Sequence, residues 1–121
     1  MAETAALLAD EITTPGEGQL RALFVSAGNP VLSCPNSERT TAALAQLELI
    51  VSVDLFRNET GNLAHYVLPV TSFLERTDMP MGLAGYQPVP YLQWVDRVVP
   101  PLAETRDEWW IFARLAGACG V

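Results

Sequence analysis

Two short apolar runs, each closed by residues that stop a strand and offer polar groups, constrain this chain more than any other feature. The first is Arg21-Ala-Leu-Phe-Val-Ser-Ala27, halted by Gly28-Asn29-Pro30; the second is Leu49-Ile-Val-Ser-Val53, ending at Asp54. Neither alternates apolar with polar residues, which is the pattern of strands covered on both faces in a parallel sheet. Between them, from Asn36 or Ser37 to about Leu47, the residues Ala43, Leu44 and Leu47 recur at helical spacing, and either Asn36 or Ser37 suits the N-cap. Strand, helix, strand is the unit of a parallel α/β sheet, and its right-handed crossover sets the two strand ends side by side.

The rest of the chain extends this pattern. Ala2 to Ile12 is rich in Ala and Leu and predicts a short helix, broken at Thr14-Pro15-Gly16. Leu55 to Ala64 reads as a polar-leaning loop apart from Phe56. Tyr66-Val-Leu-Pro-Val70 predicts a third strand, with Pro69 at an edge or at the strand's end. Ser72-Phe-Leu-Glu75 has capping-box spacing and predicts one helical turn, and Met79 to Pro90, with three Pro and two Gly, an irregular excursion. Tyr91 to Val99 is expected to be extended. Thr105-Arg-Asp-Glu108 is a second capping box, with Thr105 as N-cap and Glu108 reaching back to its N–H. Trp109, Phe112, Ala113 and Ala116 then line one face of a helix closing near Gly117 to Gly120. The element order predicts an α/β fold: a doubly wound, mostly parallel sheet flanked by helices, a Rossmann-like three-layer sandwich. Residues 1–121 are expected to form a single domain, with an N-terminal helix and turn over 1–19 and the α/β core over 20–121.

Composition excludes several classes of function. The net charge of −7 comes with Lys and Arg scattered singly, so no basic stripe is available for nucleic acid. No apolar run approaches the roughly 20 residues that span a bilayer, and membrane insertion is not expected. The N-terminus lacks a basic n-region, and Cys34 and Cys119 read as reduced thiols, so a cytoplasmic location is expected. His65 is the only histidine, which leaves no His-rich metal site and no plausible hydrolase triad. No catalytic or metal-ligating residue is assigned within the chain.

The chemistry is expected where ligands bind open α/β sheets, at the carboxyl ends of the strands. Gly28 lets the backbone approach a ligand or take positive φ, Asn29 offers an amide donor and acceptor, and Pro30 fixes the exit direction. Asp54 offers a carboxylate that can accept two hydrogen bonds, from a sugar diol or from the amino and ring N–H edge of guanine. It stands 25 residues after Asn29, about where dinucleotide-binding folds place their ribose-binding acid. The same residues also suit plainer roles, a Gly-Asn-Pro turn and an Asp that caps a turn. Neither GxGxxG nor a P-loop is present, which argues against ordinary dinucleotide and nucleoside triphosphate sites.

A longer series of residues carries a resemblance. Ala-Gly-Asn-Pro (27–30) is followed by Ser33 and Pro35-Asn36, then by Val53-Asp54-Leu-Phe56, Asn58-Glu59-Thr60 and Ala64-His65-Tyr66-Val-Leu-Pro69. Glu75-Arg76 and Trp110-Ile-Phe-Ala-Arg-Leu-Ala116 complete it. In this order and spacing the run from Ala22 to Gly120 resembles the dimethyl sulfoxide reductase family of molybdopterin oxidoreductases, which includes formate dehydrogenases and nitrate reductases. The resemblance implies one of two related α/β domains that grip a bis(molybdopterin guanine dinucleotide) cofactor carrying molybdenum or tungsten. It implies that Gly28, Asn29 and Pro30 form the turn near the nucleotide, that Asp54 reads guanine or its ribose, and that Thr60 lies in the following loop.

Two departures stand out. His65 occupies the position where the family usually has Asp before Val-Leu-Pro, and Cys34 matches no metal ligand. The family's iron–sulfur Cys motif and its molybdenum ligand belong to segments outside this sequence. The expected parent is therefore an oxidoreductase in which this domain anchors the guanosine arm, with an electron-transfer subunit as a further partner. By itself the segment is expected to be inactive, to hold no cofactor tightly, and to self-associate through interface residues such as Trp94. The alternatives are a scaffold domain of a complex I-type large subunit without molybdenum, and an unrelated α/β nucleotide-binding or interaction module.

Overall fold

In the computed structural model, which describes residues 5–86, 88–89 and 91–121, three strands form one parallel sheet in the order β1 (Ala22–Ser26), β2 (Leu49–Asp54), β3 (Tyr66–Pro69). Leu23 pairs with Ile50 and Ser26 with Val53, while Val53 pairs with Leu68 and Asp54 with Pro69. β2 lies in the middle and is buried along its centre; β1 and β3 are edges, and Phe24 and Tyr66 are exposed. The continuous apolar pattern therefore marks full cover only for β2.

The chain's contacts group into two compact units, Met1–Pro69 and Val70–Val121, where one domain is expected. In the first unit the elements are a 3-10 turn at Ala5–Leu7, α1 (Leu8–Thr13), β1, α2 (Pro30–Ser33), α3 (Ser37–Leu44), β2, α4 (Glu59–Leu63) and β3. Of the predicted N-terminal helix, residues 2–4 lie outside the described residues. Asn36 caps α3, its side chain accepting the Arg39 N–H at 3.1 Å, and it holds the left-handed backbone (φ 56°) that Asn tolerates. α2 and α4 were not expected. α2 starts at Pro30, whose fixed φ and missing N–H suit a first helical position. α4 is only five residues long and contains Gly61, too short and too weak in propensity for its periodicity to register.

The core joins Ala9 and Ile12 of α1, Val31 of α2, Ala43 and Leu44 of α3, Leu47 and Ile50, with Leu23 and Leu63 packed against it. Alternate strand residues face opposite sides, so Leu23, Val25, Ile50 and Ser52 share the helical face. Both crossovers run over that one face. This is why the strands stay in sequential order, with no reversal, and why a second helical layer on the Phe24–Tyr66 face is not part of this unit. Ser52 is fully buried and its hydroxyl has no hydrogen-bond partner among the described residues; Gly61 lies over it, a Cβ there falling 3.7 Å from Ser52 Oγ.

The second unit is held mainly by polar links. Val70 bridges to Arg106, and the Thr71 hydroxyl donates to Asp107 Oδ1 at 2.5 Å. At Ser72–Glu75 a hydrogen-bonded turn forms in place of the expected helical one, with half of the capping box: the Ser72 N–H donates to Glu75 Oε2 at 2.8 Å, while the Glu75 N–H donates to the Ser72 backbone carbonyl and not to its hydroxyl. The other Glu75 oxygen accepts the Leu102 N–H at 2.9 Å. Arg76 pairs with Asp78 and Glu108. The excursion contains a 3-10 helix at Met81–Tyr86, with Gln87 and Pro90 outside the described residues, and in the following segment Val95 forms an antiparallel bridge with Asp78.

α5 (Glu108–Cys119) begins later than expected. Its N-cap is Asp107, and the Thr105 hydroxyl instead donates to Leu102 O, so Thr105 does not cap the helix. The buried stripe is also rotated from the expected one: Ile111 is buried with Glu108 and Leu115 beside it, while Trp109 is 69% exposed. Helical spacing selects a stripe but not the stripe that finds a partner. Gly120, at φ 80°, closes the helix as expected.

Two outcomes follow for stability. Leu44→Ala should cost about 2–5 kcal/mol, the range for emptying a packed aliphatic site, while Trp109→Ala should cost less than about 0.5 kcal/mol, as an exposed side chain does; chemical unfolding of both variants measures this. Glu75 has its carboxyl held below the ordinary range chiefly by the Ser72 N–H and also by the Leu102 N–H. A lowered folded pKa gives stability that is present above the unfolded value and lost as pH falls through the folded one. The stability gap between the wild-type chain and Glu75→Gln should accordingly narrow as pH falls from neutrality towards about 3, and a gap independent of pH would contradict the assignment.

Candidate functional site

The parallel pairing of β1 with β2 carries the chain out of both strands at the same end of the sheet, with the Ala27 N–H donating to Val53 O at 2.9 Å. Ala27 takes the left-handed backbone there (φ 49°), whereas Gly28 does not. Gly28 was expected to supply any positive φ. The turn instead places the strain, roughly 1 kcal/mol, one residue earlier, where the chain must reverse to start α2 at Pro30. A Cβ on Gly28 would meet Val25 at 3.4 Å, so Gly is accommodated rather than demanded by the backbone.

Asp54 closes β2, half-buried. Its Oδ1 accepts the N–H groups of Leu55 at 2.7 Å and Phe56 at 3.3 Å, the turn-capping arrangement an Asp favours. Its Oδ2 accepts from Asn58 Nδ2 at 3.1 Å. The same Asn58 amide donates to Gly28 O at 3.3 Å, while Asn58 Oδ1 accepts the Gly61 N–H at 2.9 Å and so caps α4. One side chain thus joins the turn after β1, the end of β2 and the start of α4. Gly28 and Asp54 stand together in one crevice.

A second set of bonds fixes the turn itself. Asn29 Oδ1 accepts from the Thr60 hydroxyl at 2.7 Å and the Thr60 N–H at 3.3 Å. Asn29 Nδ2 donates to Glu59 Oε2 at 2.6 Å. The Thr60 oxygen in turn accepts the Val31 N–H at 3.2 Å, satisfying one of the donors exposed at the start of α2. Thr60 is fully buried, so its hydroxyl braces the turn and leaves no face to a ligand. Glu59 is exposed, and its carboxyl is held below the ordinary range first by its own backbone N–H and then by the Asn29 amide.

The crevice thus gathers Gly28, Asn29, Pro30 and Asp54, with Thr60 beneath, and adds Asn58 and Glu59, whose roles the sequence did not reveal. The available signal was an Asn followed by an acid, an N-cap with a carboxylate in the first turn; the surrounding Thr-Gly-Asn hid it by reading as loop. His65 lies outside the crevice: its Nδ1 accepts the Ile50 N–H at 3.0 Å and its own N–H donates to Ile50 O, so it extends the β2–β3 ladder. Surface clefts of about 240 and 250 Å³ lie elsewhere, around Asp10 and Gly18 and around Arg106 and Trp110. What distinguishes the crevice is its converging polar groups. Among the described residues no three His, Cys, Asp or Glu side chains converge as a metal site, and no helix is long and apolar enough to cross a membrane.

Comparison with known proteins agrees with the expected resemblance. A family model described as molybdopterin oxidoreductase matches residues 2–118. Similar curated proteins include the probable oxidoreductase YyaE of Bacillus subtilis, 27% identical over 93% of this chain and 16% of the relative. The assimilatory nitrate reductase catalytic subunit of the same organism is 33% identical over 86% of the chain and 14% of the relative. Among solved structures, acetylene hydratase from Pelobacter acetylenicus superposes with a TM-score of 0.82 at 28% identity, covering 96% of this chain and 16% of that one. The chain spans about one-sixth or less of the length of these relatives. With a matching sequence model over nearly its whole length and the same fold in a solved relative, this chain belongs to the molybdopterin oxidoreductase family.

Proposed function

We propose that this chain is a cofactor-anchoring segment of a longer molybdopterin oxidoreductase of nitrate reductase or formate dehydrogenase type, and that its crevice grips the guanosine arm of a bis(molybdopterin guanine dinucleotide). The observation that carries this is the placement of Asp54 and the Gly28 carbonyl at adjacent strand ends, held by one amide. A carboxylate offers about four acceptor positions. Asp54 already accepts three protein donors, so Oδ2 keeps one position for a ligand N–H or O–H. Gripping both N–H groups of guanine, as the sequence suggests, would require Asp54 to release a weak bond such as the 3.3 Å contact from Phe56. Asn29 and Thr60 act in this scheme as the frame of the turn, and the backbone of Gly28 and Pro30 as the wall facing the nucleoside.

The chemistry the cofactor supplies when bound is electron or oxygen-atom transfer at a metal held by its dithiolenes, and this chain's part is to fix the arm in place. The family assignment sets aside an unrelated α/β module. The substrate is not written in this segment, since relatives with the same fold are named for nitrate reduction and for acetylene hydration. Remaining domains of the parent are the natural partners of the exposed apolar residues of the second unit, Phe73, Trp94 and Trp109 among them.

Denaturing the full-length protein should release molybdenum or tungsten together with guanine nucleotide, and the absence of both would sink the proposal. Asp54→Ala should reduce retained guanine nucleotide about tenfold, the worth of a hydrogen bond to a charged group. Retention unchanged in that variant would remove the anchoring role from this crevice while leaving the family assignment intact. Titration of the 121-residue chain alone with guanosine diphosphate should give only weak binding; tight binding would show that the segment holds the arm unaided.

A further inference from the structure

Resting on the anchoring role proposed above, we infer that Asn58 is the positioning residue of the site, its amide presenting Asp54 and the Gly28 carbonyl to the nucleoside in one fixed arrangement. Both of its amide hydrogens point to acceptors that belong to the crevice, Gly28 O at 3.3 Å and Asp54 Oδ2 at 3.1 Å, while its oxygen is spent on the Gly61 N–H at 2.9 Å. Without those donors the carbonyl and the carboxylate would face each other as acceptors alone. They would then be free to turn towards water or towards the donors of any ligand, in no set geometry. Asn58 is half-buried and caps the short α4, whose height over β2 is set by Gly61 against Ser52 and by the buried Thr60. The amide is therefore held from below as well as bonded above.

A plainer role would be helix capping alone, and the chemistry of the cap separates the two. Asn, Asp and Ser are about equally good N-caps, since each offers an oxygen to the N–H three residues on. Only Asn also carries two donors. Asn58→Ser keeps a cap but leaves one O–H donor on a shorter side chain, which cannot serve both acceptors. Asn58→Asp keeps a cap and sets a second carboxylate about 3 Å from that of Asp54, a like-charge pair.

The test compares the full-length wild-type protein with Asn58→Ser, Asn58→Asp and Asp54→Ala, measuring guanine nucleotide retained after dialysis and, separately, the thermal unfolding midpoint. Positioning predicts retention in the order wild type, then Asn58→Ser, then Asn58→Asp, with the Ser variant down about tenfold and unfolding little changed. A capping role predicts equal retention for all three. If the Asp variant fails to fold, the Ser variant decides alone. Equal retention in the Asn58 variants alongside loss in Asp54→Ala would overturn the inference and spare the anchoring role; retention in Asp54→Ala as well would show that the anchoring role itself is wrong.

Discussion

The pairing of β1 with β2 in parallel register is the constraint on which the first unit depends. Because Ser26 stands beside Val53, the residues that leave each strand emerge next to each other, and everything in the crevice follows from that adjacency. The pairing is itself secured from one side. Leu23 and Ile50 press against α1, α2 and α3, where Leu44 of α3 is fully buried and Ile50 of the middle strand nearly so. A parallel pair cannot be closed by a hairpin, so the 22 residues between the strands must cross over the sheet, and the apolar stripe of α3 decides which face they cross.

Above this apolar base, the polar residues of the crevice are arranged mainly for one another. The Asn29 amide is engaged on both its atoms, Thr60 is buried, and Asp54 has three of its acceptor positions filled. Each such bond contributes on the order of 1 kcal/mol, but a buried group left unpaired costs more, so the set holds as a unit. The consequence for binding is preorganisation. For the nucleoside binding proposed above, the directions of these groups are already fixed, and less ordering is needed on association. The left-handed Ala27 adds a small strain where the chain must turn sharply from β1 into α2.

The second unit shows a different balance. Among its described residues the buried ones are few, Val70, Thr71 and Ile111, while large apolar side chains such as Tyr86, Leu102 and Trp94 are exposed. Carboxylates and arginines, among them Glu75, Arg76 and Asp107, tie its loops by named hydrogen bonds and ion pairs instead.

Much of the plan was legible in the residues. The two apolar runs gave their strands within a residue or two, Asn36 and Gly120 marked helix ends, and Pro69 marked the end of an edge strand, because each of these signals acts through local sterics or hydrogen bonding. The sequence by itself also singled out Gly28 to Pro30 and Asp54 as candidates for chemistry, since these residues put polar groups at strand ends. What the tertiary structure alone decided was partnership: that α5 starts after Asp107, whose carboxylate holds Thr71, rather than after Thr105, that Ile111 rather than Trp109 turns inward, that Ala27 rather than Gly28 takes the strained backbone, and that Asn58 and Glu59 complete the crevice. Those choices depend on groups some 30 residues apart in the chain meeting in space, and local propensity carries no information about such distant pairings.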